Sequence, residues 1–136
     1  MSKKRNKLKV RESAKSSLIL DRSEEEISYM NESPKFSLQH VSPKYCVSKC
    51  SPQEKSDFVN AMLKRKDLAW KKLMLMGKHA LGYEKISHLN VDIPNVAKDK
   101  QLIAFRFSDK KPMVGFRERD VFYILWFDRE FEVYKH

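Results

Sequence analysis

The sequence predicts an α+β fold: two N-terminal helices packed on an antiparallel sheet of three to four strands, behind a disordered basic N-terminal tail. Three observations predict it. Ser51, Pro52 and Glu54 form a helix-start signal ahead of an amphipathic stretch. Residues 101–108 alternate Ile103, Phe105 and Phe107 with Leu102, Ala104 and Arg106, the period of two of a strand. Residues 121–127, β-branched and aromatic throughout, read as a strand buried on both faces and are expected at the centre of the sheet.

Taken in order, residues 1–34 are rich in Lys, Ser and Glu, with one apolar patch at residues 18–20 and no sustained period. They are expected to form a mobile tail, a reading preferred over one in which the acidic cluster Glu24 to Glu26 folds back on the basic domain. A single domain then spans residues 35–136. Residues 35–41 alternate Phe36, Leu38 and His40 with Ser37, Gln39 and Val41, which suits a strand at the sheet edge. The capping box opens a helix over residues 52–65 that buries Phe58, Ala61, Met62 and Leu63 and turns Lys55, Lys64 and Lys66 to water. Asp67 is expected to cap a second helix over residues 68–76, with Trp70, Leu73 and Met74 inward and Gly77 at its end. Gly82 interrupts any helix in residues 78–87, and residues 88–100 read as a loop leading into the sheet.

The sheet itself is expected as a meander. Asp109 to Pro112 break the first run, residues 113–118 resume it, and Arg119 and Asp120 make a two-residue hairpin break before residues 121–127. Asp128 to Glu130 turn the chain into a closing strand over residues 131–136. An arginine inside a strand must reach solvent or a partner, because a buried unpaired guanidinium is very costly. Pairing across the first hairpin would bring Arg106 and Arg117 out on one side, with Gly115 leaving an open spot beside them. Such a pair would clamp a phosphate; the ordinary alternative is that each arginine bonds a nearby acid at the sheet edge.

Charge points to an anionic partner without naming it. The net charge is +10 and the pI near 9.6. Positive charge gathers in residues 1–15 and in the helical part, which fits a nucleic-acid footprint. No stretch approaches the roughly 18 apolar residues of a membrane span, and the N-terminus lacks the apolar core of a signal peptide, so a cytoplasmic protein is expected. Cys46 and Cys50, four apart, read as reduced thiols; with His40 they give at best three ligands at a spacing unlike zinc fingers, and no metal is expected. With only three glycines there is no phosphate loop, no carboxylate cluster for magnesium stands out, and no cofactor is implied.

Two helices followed by an antiparallel meander, carrying LIAFRF, PMVGFRERDVFYILWF and the ending EVYKH over about residues 51–136, resemble the RelE/ParE-like toxins of bacterial toxin-antitoxin systems. The resemblance implies an mRNA endonuclease acting at the ribosome and held silent by an antitoxin protein. It places Arg106 and Arg117 on the scissile phosphate, and Tyr134 and His136, near the end of the last strand, in proton transfer. Chemistry supports the same set, because metal-free RNA cleavage needs a base for the 2′-hydroxyl, an acid for the leaving 5′-oxygen and positive charge on the phosphorus. Glu84 and His79 are further acid or base candidates, and Lys135, Arg119, Lys71, Lys72 and Lys78 are expected to grip RNA. Two other classes stay open: a non-catalytic nucleic-acid-binding module, which needs Phe105, Phe107, Phe116 and Tyr123 exposed for stacking, and a protein-binding regulator such as an antitoxin, immunity or phage-encoded factor.

Overall fold

Order begins earlier in the chain than its composition suggests. The computed structural model describes residues 24–136, so the basic start of the expected tail and its apolar patch lie outside the described residues. Residues 24–30 form a helix, α1. Its Glu26 pairs with Arg117, Met30 packs against the core, and the Trp70 N–H donates to the Glu32 carbonyl at 2.9 Å. Of the acidic cluster, Glu26 thus meets the basic domain, and residues 24–34 lie within the described fold. Strand β1 (Lys35–Ser37) follows, shorter than the expected residues 35–41 because Val41 N–H closes a turn on the Leu38 carbonyl at 3.2 Å.

Helix α2 (Pro52–Arg65) starts where its capping box lies. Ser51 Oγ accepts the Glu54 N–H at 3.1 Å, and Glu54 Oε1 accepts the Ser51 N–H at 2.7 Å. Phe58, Ala61 and Arg65, three and four residues apart, form the buried stripe. Leu63 falls outside that stripe and is 55% exposed, contrary to expectation. Helix α3 (Trp70–Leu75) is shorter than predicted: Asp67 bonds Lys66 at 2.8 Å instead of capping, and Ala69 occupies the N-cap. Trp70 and Leu73 are fully buried, whereas Met74 faces out. Beyond α3 the chain doubles back against it at Gly82, where a Cβ would lie 2.0 Å from the Met76 carbonyl oxygen.

The five-stranded sheet adds β2 (Glu84–Ile86), β3 (Leu102–Ser108), β4 (Lys111–Glu118) and β5 (Val121–Phe127), in the order β1-β5-β4-β3-β2. The β3-β4-β5 meander is antiparallel as expected, and β1 runs parallel along β5. The centre is β4, not β5, because β2 adds to the sheet beyond β3 and leaves two strands on each side of β4. Pro112 lies within β4, so the break before it is confined to Asp109, held at φ 50, and Lys110.

Val114 pairs with Trp126 and Gly115 with Ile124, which leaves Leu125 as the extra residue of a β-bulge. Leu125 and Trp126 therefore both face the same side. The bulge also fills the space beside Gly115, whose Cβ would sit 1.9 Å from the Tyr123 carbonyl oxygen. Glycine is there for backbone contact, and the open spot expected at that position does not exist.

Both faces of the sheet are buried. Ile103, Phe105, Phe107, Met113, Phe122, Ile124 and Phe127 meet Phe58, Ala61, Trp70 and Leu73 of the helices. On the other face, Leu102, Ala104, Val114, Phe116, Leu125 and Trp126 pack with Ile86, Ala97, Val133 and Tyr134. The segment expected as a loop thus covers one side of the sheet. Residues 131–136 cover it too, without forming the closing strand predicted for them. The buried Asp128 carboxylate captures the Glu132 and Val133 N–H groups at 2.8 and 3.1 Å, and Phe131 reverses the chain at φ 56. Only a single bridge, Leu89 to Tyr134, remains of strand pairing there.

Glu54 fastens this arrangement. Only 5% exposed, it bonds Lys111 Nζ at 2.9 Å and Arg129 Nε at 2.8 Å while closing its own helix cap. Burial pushes its carboxyl up, but the bonds from Ser51 N–H, Lys111 and Arg129 outweigh that and hold it down to about 2. Glu54→Ala should cost about 2–4 kcal/mol in urea unfolding, through the lost cap and two stranded cations. Because the folded carboxyl titrates below its usual 4.5, the contribution is complete above that pH and fades as pH falls toward about 2, so the wild-type and variant unfolding curves should converge through that window. Gly115→Ala should cost about 3 kcal/mol by forcing the bulge apart; a loss below about 1 kcal/mol would mean that β5 can move away freely.

Candidate functional site

At the end of β3 nearest the β3-β4 turn, Arg106 follows Leu102 and Ala104 on the face away from the helices. Tyr134 and His136 arrive there from the segment that Asp128 folds across that face, and Glu84 comes from the neighbouring edge strand β2, opposite Ala104. Arg106, Glu84, Tyr134 and His136, with Lys78 and Lys110, line one cleft of about 150 Å³. A second, wider cleft of about 310 Å³ continues along Lys85, His88 and Lys135.

A chain of polar contacts runs through the cleft. The Tyr134 hydroxyl donates to Glu84 Oε1 at 2.7 Å, and Lys78 Nζ meets Glu84 Oε2 at 3.0 Å. His136 Nε2 lies 3.4 Å from Asp128 Oδ2, while its ring sits 4.0 Å from that of Tyr134 and edge-on to Phe131 at 5.1 Å. Burial raises the Glu84 carboxyl, but the bonds from Tyr134 and Lys78 win and leave it below the usual range. Burial first, then the Glu84 charge, pushes the Tyr134 phenol far above its ordinary value. Tyr134 is therefore a neutral hydrogen-bond donor and no base. Phe131, 44% exposed at a positive φ that bulky residues rarely adopt, is held over the imidazole at a backbone cost of order 1–3 kcal/mol.

Arg117 is not part of this group. It pairs with Phe122 of β5 and lies over the Trp70 ring at 5.8 Å, so it belongs to the helix-side face, opposite that of Arg106. Arg117 also sits at the other end of the sheet: Arg106 lies opposite Pro112 and Leu102 opposite Phe116, and Arg117 continues beyond that pair. The expected convergence of the two arginines fails because β4 alternates and position 117 shares the parity of Met113. Arg117 instead bonds Glu26 and the Arg119 carbonyl, the latter at 2.7 Å, which is the ordinary fate of an edge arginine. Arg119 occupies the turn beyond it, and Lys71 and Lys72 follow Trp70, whose indole N–H reaches the Asp120 carbonyl at 3.0 Å at that same far end. His79 lines a separate cavity on the other side of Arg106.

Sequence reasoning missed Lys110, Asp128 and Phe131. Asp128 follows a strand and looks like a turn residue; only the fold shows that it is fully buried and organises everything after it. Phe105, Phe107 and Phe116 are core residues, so they offer no stacking platform. Cys50 is buried and Cys46 partly so, both free, and among the described residues no group of three or more His, Cys, Asp and Glu is placed to hold a metal ion. No helix among the described residues is long and apolar enough to cross a membrane. Compared with protein-family models, with curated proteins and with solved structures, the chain finds no match.

Against burial, the Tyr134 hydroxyl joins Lys78 in holding the Glu84 carboxyl low, and its removal tests that link. In Tyr134→Phe the Glu84 carboxyl, followed by carboxyl-carbon NMR through a pH titration, should titrate higher than in the wild type, because one donor to its charged form is lost. An unmoved midpoint would show that the bond is not made in solution.

Proposed function

We propose that the chain is a metal-independent endoribonuclease acting by 2′-hydroxyl attack, in the manner of RelE-like toxins. The observation that supports it is the gathering of Arg106, Glu84, Tyr134 and His136 around one cleft from three separate parts of the chain. Arg106 offers two parallel N–H donors to the scissile phosphate, with Lys78, Lys110 and Lys135 adding charge around it. The ionised Glu84 carboxylate takes the 2′-hydroxyl proton, and the imidazole of His136, held by Asp128, gives a proton to the leaving 5′-oxygen. Tyr134 orients Glu84 and carries no proton in the reaction. Arg117 has no part in this reading; its contacts are structural.

An RNA substrate, met on the ribosome, and a cognate antitoxin that covers the cleft belong to the same proposal. The purified chain, incubated with mRNA free and on ribosomes, should cleave it to products with 2′,3′-cyclic phosphate ends. Arg106→Ala should lower the rate about 10²-fold or more and His136→Ala about 10²- to 10⁴-fold. Arg117→Ala should stay within about twofold once its stability is allowed for. Folded wild-type protein that neither cleaves RNA nor slows growth when induced in a bacterial host would remove the reading.

A further inference from the structure

On the far side of Arg106 from the cleft, a cavity of about 370 Å³ opens between α2, residues 79–81 and the β3-β4 turn. Its volume sits at the lower end of the ~300–1,000 Å³ typical of small-molecule sites. Its lining carries the basic Lys64, Arg65 and His79 together with the acidic Asp57 and Asp109, and Arg106 borders it from β3 while its side chain shares the opposite face with Leu102 and Ala104. Residues 57 and 65 of one helix are two turns apart, about 12 Å along its axis, so Asp57 does not meet Arg65 at contact.

Arg65 is the unusual member. It is 1% exposed, and its partners are all neutral: the carbonyls of Leu81 and Ala61, each at 2.9 Å, that of Arg106 at 3.4 Å, and the ring of Phe105, 4.9 Å from its Cζ. Burial pulls the guanidinium down to about 10, which leaves it charged at neutral pH. Buried charges in proteins are ordinarily paired, and among the described residues no carboxylate forms a salt bridge with this one. Asp57 is engaged elsewhere, accepting from Ser108 Oγ at 2.7 Å and Gln53 Nε2 at 2.8 Å. A positive charge without a counter-charge in the wall of a polar cavity favours an anion within it.

We propose that this cavity binds a ribonucleotide, with its phosphate between Lys64 and His79 beside the buried charge of Arg65, and its hydroxyl or amino donors toward Asp57 and Asp109. Binding there requires no cleavage and stands apart from the catalytic reading. The ligand's source is either a free mononucleotide or a nucleotide unit of an RNA strand, and the two separate by affinity.

The full chain carrying His136→Ala, so that RNA survives, is titrated at fixed ionic strength with inorganic phosphate, each of the four ribonucleoside 5′-monophosphates and a short RNA, followed by amide NMR. At least one nucleotide ligand should bind more tightly than phosphate and move the amides of residues 57–65 and 79–81. Lys64→Ala with His79→Ala, both at exposed positions, should weaken that binding roughly tenfold, while Lys98→Ala, an exposed lysine outside the cavity, should leave it unchanged. Tighter binding of a mononucleotide assigns the cavity to a free nucleotide, and tighter binding of RNA to a strand; each carries the proposal. Binding that the double variant retains in full, or amide shifts that bypass these residues, overturns it, as does the failure of every nucleotide to bind better than phosphate.

Discussion

A sheet buried on both faces has almost nowhere to put a charge. That constraint governs the molecule. Helices close one side and the segment of residues 87–100, with the chain after β5, closes the other, so the buried positions of the two faces are almost all apolar. In β3 and β4 the arginines stand toward strand ends, and there the pleat decides which side each one takes. Arg106 and Arg117 stand at opposite ends with opposite parity, so one is left beside Tyr134 and His136 and the other is stacked on Trp70. Paired ions likewise collect at the rim, where Glu54, Lys111 and Arg129 join a helix start to two strand ends.

Local chemistry wrote much of the fold into the sequence. The capping box of Ser51 and Glu54 needed no tertiary information, because its partners are three residues apart, and the structure has it as read. The three meander strands were legible from alternation and from the aromatic run in β5. What escaped were features set by distant contacts. The bulge opposite Gly115 depends on how β5 pairs with β4, and an isolated glycine in a strand can mark either a gap or a close approach. Residues 131–136 carry strand-like side chains, yet the Asp128 carboxylate offers their backbone a better partner than a sheet edge.

The candidate site was legible in the same uneven way. Arg106, Tyr134, His136, Glu84 and Lys78 were all readable as chemistry-bearing residues, and the fold gathers them. Arg117 was grouped with them by assuming a register across the first hairpin, and one position of parity undoes such an assumption. Arg65 gave no signal, since an arginine at the end of an amphipathic helix ordinarily reads as solvated; only packing against Phe105 and three carbonyls shows it to be interior.

The parallel pairing of β1 with β5 has a kinetic consequence. These strands come from opposite ends of the described domain, and almost all of the intervening chain must be in place before they can meet. Closing so long a loop is entropically slow, and topologies dominated by such contacts fold late. During synthesis the helices and β1 emerge with their apolar faces open, and the sheet cannot close until β5 has been made. The growing chain is therefore exposed to chaperones and to premature association for longer than a chain of local contacts would be.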